Sequence, residues 1–218
     1  MNKILGSTII AGDVGSGKSW TENAIVRELI RQKAQLVLID PKLVELNGYK
    51  GEPEVQMYAD NYDGITDAVR QAYQIVNARL KSMKKDNLKE WPGNPLYVVI
   101  DELLPITMDK NYKKNGTIEN LNRIAILGRA ARVFLIICTQ KATRKNVPDD
   151  VKTCFYNRVC LRQFDSRDYH YVLDEKVQPL RELFGECYVR TAGRAAVRMK
   201  SDDVVKYLMG EYTEKTEL

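Results

Sequence analysis

The 218-residue chain contains one histidine and four cysteines, and no two cysteines are spaced as C-x-x-C. Histidine-based metal sites are therefore nearly excluded, and neither a zinc site nor a disulfide framework is indicated. The longest uninterrupted apolar run, residues 133–138, is far shorter than the roughly 20 residues that a membrane-spanning helix needs. No secretory signal pattern follows Met1. We therefore expect a soluble, reduced protein of the cytoplasm without a membrane segment of its own.

Charge and hydrophobic content point to a folded globule. Hydrophobic residues make up 44% of the chain, which is enough for a substantial core and excludes wholesale disorder. The 34 basic residues exceed the 29 acidic ones by five, and this mild excess is compatible with nucleic-acid contact without requiring it. No repeat, low-complexity stretch or Pro/Gly linker interrupts the sequence. We expect one domain over residues 1–218.

Short apolar segments alternate with amphipathic ones, which predicts a parallel sheet covered by helices on both faces. The predicted strands are residues 7–11, 36–39, 97–100, 134–137 and 155–161. Helices are expected over residues 18–33 and 65–83 and through residues 121–131, the last preceded by a polar loop at 109–116. Two late apolar segments, 187–190 and 195–198, flank Ala192-Gly193 and predict a hairpin. The predicted fold class is therefore α/β: a central, mostly parallel sheet flanked by helices, with a C-terminal β-hairpin.

One segment matches the G-x-x-x-x-G-K-[ST] pattern throughout and lies between a predicted strand and a predicted helix. Its residues are Gly12, Asp13, Val14, Gly15, Ser16, Gly17, Lys18 and Ser19. The glycines allow successive backbone N–H groups to face one anion, and the following helix directs its positive end at the phosphates. We expect Lys18 to reach the β and γ oxygens, Ser19 to ligand Mg²⁺ and the adjoining Trp20 to contact the nucleotide. The pattern predicts nucleoside triphosphate binding without identifying the base.

An acidic pair follows the third predicted strand, at the end where parallel sheets expose their sites. Asp101 is the expected magnesium partner, and Glu102 can polarise a water towards the γ-phosphate. Such a pair favours hydrolysis over phosphoryl transfer to a small acceptor. The next strand ends near Gln140, whose amide is a candidate sensor of the γ-phosphate.

Several segments together resemble the motor domains of FtsK/SpoIIIE-type DNA translocases. They include IIAGDVGSGKS at residues 9–19, LVLIDPKLVEL at 36–46, VVIDEL at 98–103 and AARVFLIICTQ at 130–140. The Ile39-Asp40-Pro41-Lys42 stretch is the least generic, since many ATPases share the others. Two later segments, around residues 157–167 and 185–188, also look like the family, so the resemblance runs over residues 9–188. The domains that full-length members place around the motor have no counterpart in this sequence, which therefore looks like a motor core alone.

This resemblance implies a RecA-like ATPase that binds ATP and Mg²⁺, assembles as a ring, usually a hexamer, and pumps double-stranded DNA. ATP would bind between neighbouring subunits, with an arginine of one subunit reaching the γ-phosphate held by the next. Arg129 occupies the position that matches this arginine, and a guanidinium suits the task because it stays charged and offers a planar fork. Arg132 stands where the family has glycine. A short motor of this kind would suit mobile-element transfer or viral genome packaging.

A pore that tracks a duplex is expected to carry flexible basic loops, because phosphate contacts give grip without reading sequence. Two loops on the nucleotide edge of the predicted sheet fit this requirement. Their DNA-binding candidates are Lys110, Lys113, Lys114, Lys141, Arg144 and Lys145.

The sequence leaves three other functions open. A P-loop kinase needs an arginine-rich lid, for which Arg190, Arg194 and Arg198 are available, but it leaves the acidic pair unexplained. A GTP switch lacks the base-reading Asn-Lys-x-Asp pattern. An assembly ATPase would bind partners without moving DNA, and only the response to added duplex separates it from a translocase.

Overall fold

The structure, a computed structural model, describes residues 5–182 and 184–212. The strands in these ranges are β1 (Thr8–Ala11), β2 (Gln35–Ile39), β3 (Val55–Ala59), β4 (Leu96–Ile100), β5 (Val133–Thr139), β6 (Asn157–Cys160), β7 (Glu186–Thr191) and β8 (Val197–Lys200). The helices are α1 (Lys18–Arg31), α2 (Tyr62–Lys85), α3 (Leu104–Met108), α4 (Lys110–Lys114), α5 (Thr117–Ala131), α6 (Asp149–Lys152), α7 (Ser166–Leu173) and α8 (Val204–Leu208). Single 3₁₀ turns cover Asn47–Tyr49 and Ser201–Asp203. Among the described helices, none has the length and apolarity to cross a bilayer.

All of these strands join one sheet in the order β3-β2-β4-β5-β1-β6-β7-β8. The pairings from β3 to β6 are parallel, and β7 and β8 complete the sheet as an antiparallel pair. The predicted α/β class, with its mostly parallel sheet and C-terminal hairpin, is confirmed. Because β4, β5 and β1 are neighbours, the segments that follow their carboxyl ends converge on one edge of the sheet.

Both faces of the sheet are covered, because consecutive strand residues point to opposite sides. Val98 packs with Val69 of α2 and Ile124 of α5 in one apolar cluster. Its neighbour Val99 packs with Ile25 of α1 in the cluster on the other side. This explains why the central strands are continuous apolar runs rather than alternating ones.

Strand β3 was absent from the sequence-based prediction. It lies at the edge of the sheet, parallel to β2, and most of its side chains are only half-buried. An edge strand of this kind needs no uninterrupted apolar run, so Val55–Ala59 gave little signal.

The predicted polar loop at residues 109–116 is wrong over most of its length, because it folds as α4. Asp109 caps this helix by accepting a hydrogen bond from the N–H of Asn111 at 2.8 Å. The ring of Tyr112 is buried, with its centroid 4.7 Å from that of Tyr62. Lys110, Lys113 and Lys114 therefore stand on a short anchored helix rather than on a flexible loop.

The connection from α5 to β5 is unusually tight. A Cβ atom on Gly128 would lie 2.1 Å from the carbonyl oxygen of Val133, so only glycine fits at this close approach. Arg132 ends α5 in the left-handed conformation with φ 52°, which is the conformation that glycine adopts most readily. The Arg132 side chain is held by a hydrogen bond of 3.1 Å from Nη1 to the carbonyl oxygen of Gly93. The turn is thus kept although an arginine occupies the place of glycine.

Candidate nucleotide site

The phosphate loop links the end of β1 to the start of α1. Gly15 and Gly17 have φ values of 78° and 95°, which give the loop its curvature. The Lys18 ammonium donates a hydrogen bond of 3.0 Å to the carbonyl oxygen of Asp13, so the loop closes on its own lysine. Burial lowers the pKa of Lys18, and the nearby Glu102 carboxylate opposes that shift. Ser16 is fully buried, and its hydroxyl has no hydrogen-bond partner among the described residues.

Two later segments lie against this loop, and the sequence analysis did not assign either of them. The N–H of Asp13 donates to the carbonyl oxygen of Arg162 at 3.0 Å, and the N–H of Phe164 donates to the Asp13 carboxylate. The ring of Phe184 covers Gly17, where a Cβ atom would lie 2.7 Å from two ring carbons. The chain that follows β6 and the chain that precedes β7 thus hold the phosphate loop from outside.

The remaining loop residues are more exposed. Val14 is 70% exposed at the tip. The Trp20 indole N–H donates a hydrogen bond of 3.0 Å to the carboxylate of Asp202, so the ring is directed towards the C-terminal segment. Contact between Trp20 and a nucleotide stays a prediction.

The acidic pair lies directly after β4, and both side chains are buried, at 4% exposure for Asp101 and 1% for Glu102. Glu102 Oε1 accepts hydrogen bonds of 3.3 Å from the backbone N–H groups of Leu104 and Gln140. The structure therefore brings the predicted water-activating residue and the predicted sensor together. The Gln140 backbone, rather than its side-chain amide, makes this contact.

Lys42 completes this group, although the sequence analysis gave it no role. Its ammonium lies 3.3 Å from Glu102 Oε2 and 3.9 Å from Asp101 Oδ2. It comes from the Asp-Pro-Lys segment that follows β2, the neighbour of β4 in the sheet. Lys42 thus pairs with the carboxylate that the sequence analysis predicts to polarise the attacking water.

Asp101 is well suited to hold a hard cation. Burial raises its pKa to about 6, with Lys42 opposing the shift and several neighbouring carboxylates adding to it. Its Oδ2 atom accepts no hydrogen bond from the described residues. Carboxylate and hydroxyl oxygens are the ligands that Mg²⁺ prefers, so Asp101 and the Ser19 hydroxyl fit this ion.

A further carboxylate, that of Glu22 on α1, is buried beside Asp101. Glu22 has no exposed surface. Burial raises its pKa well above the ordinary value, and the nearby Asp101 charge raises it further. The sequence held a signal for this position. Glu22 lies three and four residues before Ile25 and Val26, which places it on the apolar face of the helix.

Arg129 is exposed and lies near the amino-terminal ends of the strands, opposite the carboxyl ends where the phosphate loop and the acidic pair lie. It lines a cavity with Ser7, Phe134 and Tyr156, which precede or begin β1, β5 and β6. Strand β5, with seven residues, separates this position from Gln140, and that length corresponds to roughly 20 Å. An arginine side chain does not span that distance, so Arg129 cannot serve the phosphate loop of its own chain.

The DNA-binding candidates divide into two groups. Lys110 and Lys113 of α4 and Lys145 after β5 line one cavity of about 480 Å³, and all three are exposed. The other three candidates do not line this cavity. Lys141 pairs with Asp168 at 3.5 Å, Arg144 pairs with Asp149 at 2.8 Å, and Lys114 is exposed on α4.

Comparison with known proteins places these features in a family. Residues 2–94 match the model of the FtsK/SpoIIIE family. The chain is 30% identical over 190 residues to the DNA translocase FtsK of Listeria monocytogenes, in an alignment that covers 76% of this chain and 25% of that protein. The resemblance to the FtsK/SpoIIIE family is confirmed. The chain spans about a quarter of the length of the curated FtsK proteins that it matches.

Solved structures show that other proteins share the fold of this chain. The pCW3 conjugation coupling protein TcpA, in a monomer form with ATPγS, superposes with a TM-score of 0.76 at 23% identity, over 96% of this chain and 64% of TcpA. The genome packaging NTPase B204 from Sulfolobus turreted icosahedral virus 2, in complex with AMPPCP, superposes with a TM-score of 0.58 at 13% identity. That superposition covers 92% of this chain and 99% of B204.

Proposed function

We propose that the protein is an ATP-hydrolysing motor that moves double-stranded DNA through a ring of identical subunits, a hexamer by family resemblance, in mobile-element transfer or viral genome packaging. The observation that carries the proposal is the division of the site between two edges of one sheet. The phosphate loop, Asp101, Glu102 and Gln140 meet at one edge, whereas Arg129 lies at the other. The kinship with a DNA translocase and the folds of a conjugation protein and a packaging NTPase support the same motor, built from residues 1–218 as one RecA-like unit.

Within one subunit, the phosphate loop would hold the triphosphate, with Lys18 released from Asp13 to reach the β and γ oxygens. Ser19 and Asp101 would hold Mg²⁺, which neutralises phosphate charge when bound. Glu102 would accept the proton of the water that attacks the γ-phosphorus. Since Lys42 pairs with Glu102 here, the base becomes available only when this ion pair opens. Gln140 would report the change, because its N–H is bonded to the same carboxylate.

Between subunits, Arg129 would complete the site of the next copy. Head-to-tail stacking brings the Arg129 edge of one subunit against the phosphate-loop edge of its neighbour, and repetition of that contact closes a ring. A guanidinium at the γ-phosphate stabilises the charge that develops during hydrolysis.

The exposed lysines around the 480 Å³ cavity are the preferred DNA contacts. Lys110 and Lys113 lie in the segment after β4, downstream of Glu102, and Lys145 follows β5 and Gln140. Phosphate contacts of this kind are independent of sequence and weaken as salt rises.

Duplex-stimulated ATP hydrolysis tests this function. We expect duplex DNA to raise the steady-state rate of the wild-type protein several-fold at low salt. A chain with Lys110, Lys113 and Lys145 changed to Gln should keep its basal rate and lose most of the stimulation. The matched control changes three exposed lysines at the end of α2, Lys81, Lys84 and Lys85, and should behave as wild type.

A wild-type rate that ignores duplex at every salt concentration would contradict the motor and favour the assembly ATPase. Transfer of phosphate to a nucleoside acceptor would favour the kinase instead. For the kinase, the hairpin offers little support, because Arg190 is bonded to Leu173 and Asp174 and Arg198 pairs with Glu186.

Mixing two inactive variants tests the shared site. Arg129→Ala and Lys18→Ala subunits should each lose at least about 100-fold in turnover, because each removes charge stabilisation at the γ-phosphate. In a mixture, a Lys18→Ala subunit supplies Arg129 to an intact phosphate loop, so part of the activity should return. An absence of rescue at all mixing ratios, with mixed assembly shown by mass measurement, would contradict action between subunits.

A further inference from the structure

Glu22 is the buried charge whose position the site described above does not explain. The side chain lies on α1, three residues after Ser19 and four after Lys18, and therefore on their face of the helix. It has no exposed surface, and neither carboxylate oxygen has a hydrogen-bond partner among the described residues. Buried polar atoms in native proteins are almost always paired, so two orphaned oxygens on one side chain require a reason.

Stability of the fold does not supply that reason. An unpaired buried carboxylate costs free energy, whereas an apolar side chain would continue the stripe formed by Ile25 and Val26. No ion pair among the described residues includes Glu22. The two nearby lysines are used elsewhere, since Lys18 is bonded to Asp13 and Lys42 lies against Asp101 and Glu102.

The described residues contain no cluster of three or more acidic, histidine or cysteine side chains that would hold a metal ion by themselves, but the surroundings of Glu22 are acidic. Asp101 lies beside it, and Asp101 Oδ2 accepts no hydrogen bond from the described residues, with the Lys42 ammonium 3.9 Å away. The other close group is the buried thiol of Cys138, which brings no positive charge. Two carboxylates thus present unused oxygens next to the hydroxyl-bearing first turn of the phosphate-loop helix. A divalent cation that keeps several of its waters, as Mg²⁺ does, needs such acceptors around it.

We propose that Glu22 is a positioning residue for the divalent cation that accompanies the nucleotide, accepting hydrogen bonds from water molecules on that cation. The inference rests on the proposed use of Mg²⁺ with ATP and adds to it a residue of this chain. Carboxylates that orient the ligands of a metal strengthen its binding without touching it, and their loss weakens metal affinity by about 10- to 100-fold.

The test measures ATPγS binding as Mg²⁺ is titrated, and so needs no turnover. For Glu22→Gln we expect the Mg²⁺ concentration at half-effect to rise about 10-fold or more. Binding of ATPγS in excess EDTA should be unchanged, because the proposed contacts of Glu22 are made only to water molecules on the bound cation. The control is Glu28→Gln, which removes the same charge from α1 at a surface ion pair with Arg31 and should leave the Mg²⁺ titration unchanged.

A second variant guards against a folding defect. Glu22→Val leaves no buried polar atom, so its melting temperature without nucleotide should equal or exceed that of the wild type, while the Mg²⁺ titration shifts as for Glu22→Gln. If both variants fold and their Mg²⁺ titrations stay within twofold of wild type, the role of Glu22 is overturned. If wild-type ATPγS binding is itself indifferent to Mg²⁺, the proposed use of the metal fails first, and that result is visible before any variant is made.

Discussion

Two groups of charged side chains in this molecule include buried members, and the pairing within the two groups differs sharply. The first, the acidic edge, consists of Glu22, Asp40, Asp101 and Glu102 at the carboxyl ends of the parallel strands and on α1. Glu22 has two orphaned oxygens, and Asp40 and Asp101 have one each, with Lys42 as the single cation paired to the group among the described residues.

The second group, the Asp174 cluster, consists of Asp174 with Lys152, Arg158 and Arg190. Lys152 Nζ lies 2.6 Å from Asp174 Oδ1 and donates to the carbonyl oxygen of Tyr171 at 2.8 Å. Arg158 pairs with the same carboxylate and donates to two carbonyl oxygens at 3.3 Å. These contacts join α6, β6, α7 and β7, and none of the side-chain polar atoms in the cluster is orphaned.

This difference separates a group of charges that could bind a ligand from a group that only holds elements of the fold together. The Asp174 cluster has three cations and one carboxylate, and the cations also donate hydrogen bonds to backbone carbonyl oxygens. The cluster therefore needs no ligand to complete its pairing. The acidic edge is less complete, because among the described residues several of its oxygens accept no hydrogen bond and Lys42 is the one cation paired with it. We therefore expect incomplete pairing, rather than burial of charge, to mark the functional region.

The largest effect is expected at the acidic edge. Glu102→Gln removes the proposed base while keeping its shape, so turnover should fall at least about 100-fold. ATP binding should persist, and the melting temperature should not drop, since the change also removes a buried charge. The control is Glu119→Gln, at an exposed pair with Arg123, which should retain turnover. Hydrolysis by Glu102→Gln at the wild-type rate would contradict the assignment.

The Asp174 cluster should respond in the opposite way. Asp174→Ala leaves the buried Arg158 without its carboxylate and Lys152 with only its 3.6 Å pair to Asp149, and should lower the free energy of unfolding by about 2–3 kcal/mol, measured by urea denaturation. Turnover per folded molecule should change little. Asp67→Ala, which removes an exposed partner of Arg70, should cost less than about 0.5 kcal/mol. A loss of turnover without a loss of stability would remove the distinction between the two groups.

A smaller effect, of opposite sign in the two groups, is expected from pH. The pKa of Asp101 is raised to about 6, so its stabilising contribution is complete below its ordinary pKa and is lost as pH rises through about 6. For Asp174, burial alone would raise the pKa, but hydrogen bonds from Lys152 and Arg158 outweigh it and lower the pKa. Its contribution is therefore complete above the ordinary value and is lost only in more acidic solution.

The nucleotide-free protein should thus lose about 1 kcal/mol of unfolding free energy between pH 5 and pH 7.5 on account of Asp101. Asp101→Asn should reduce this slope, and Asp174→Ala should leave it in place. The groups that face Asp101 are Glu22, Asp40, Lys42, Glu45 and Glu102, and the raised pKa of Glu22 adds a slope of the same sign. Unfolding free energy that rises over this pH range would contradict the reading of the acidic edge.

The sequence carried the central strands and the phosphate loop because both are continuous local patterns. Leu96–Ile100 is fully buried and reads as an unbroken apolar run, and the glycine spacing of residues 12–19 is fixed by the backbone. The sequence did not predict which side chains from different strands form ion pairs. Lys42 stands 60 residues from Glu102, and nothing in either segment reveals that the two side chains meet.

Short or exposed elements were also missed, for a different reason. Helix α4 has one buried residue in five, Tyr112, which is too few to produce a periodic pattern. Strand β3 lies at the edge and alternates only weakly. Phe184, two residues before the start of β7, could not be linked to Gly17 without the fold that brings their segments together.

Strand β5 is buried at all seven positions and has Arg129 just before one end and Gln140 just after the other. A close-packed strand shifts as a rigid rod more readily than it bends. Loss of a phosphate felt at Gln140 would therefore displace the arginine that the same subunit offers to its neighbour. In a closed ring, hydrolysis in one subunit would then trigger hydrolysis in the next. Strand β5 alone would set the order in which the subunits hydrolyse ATP.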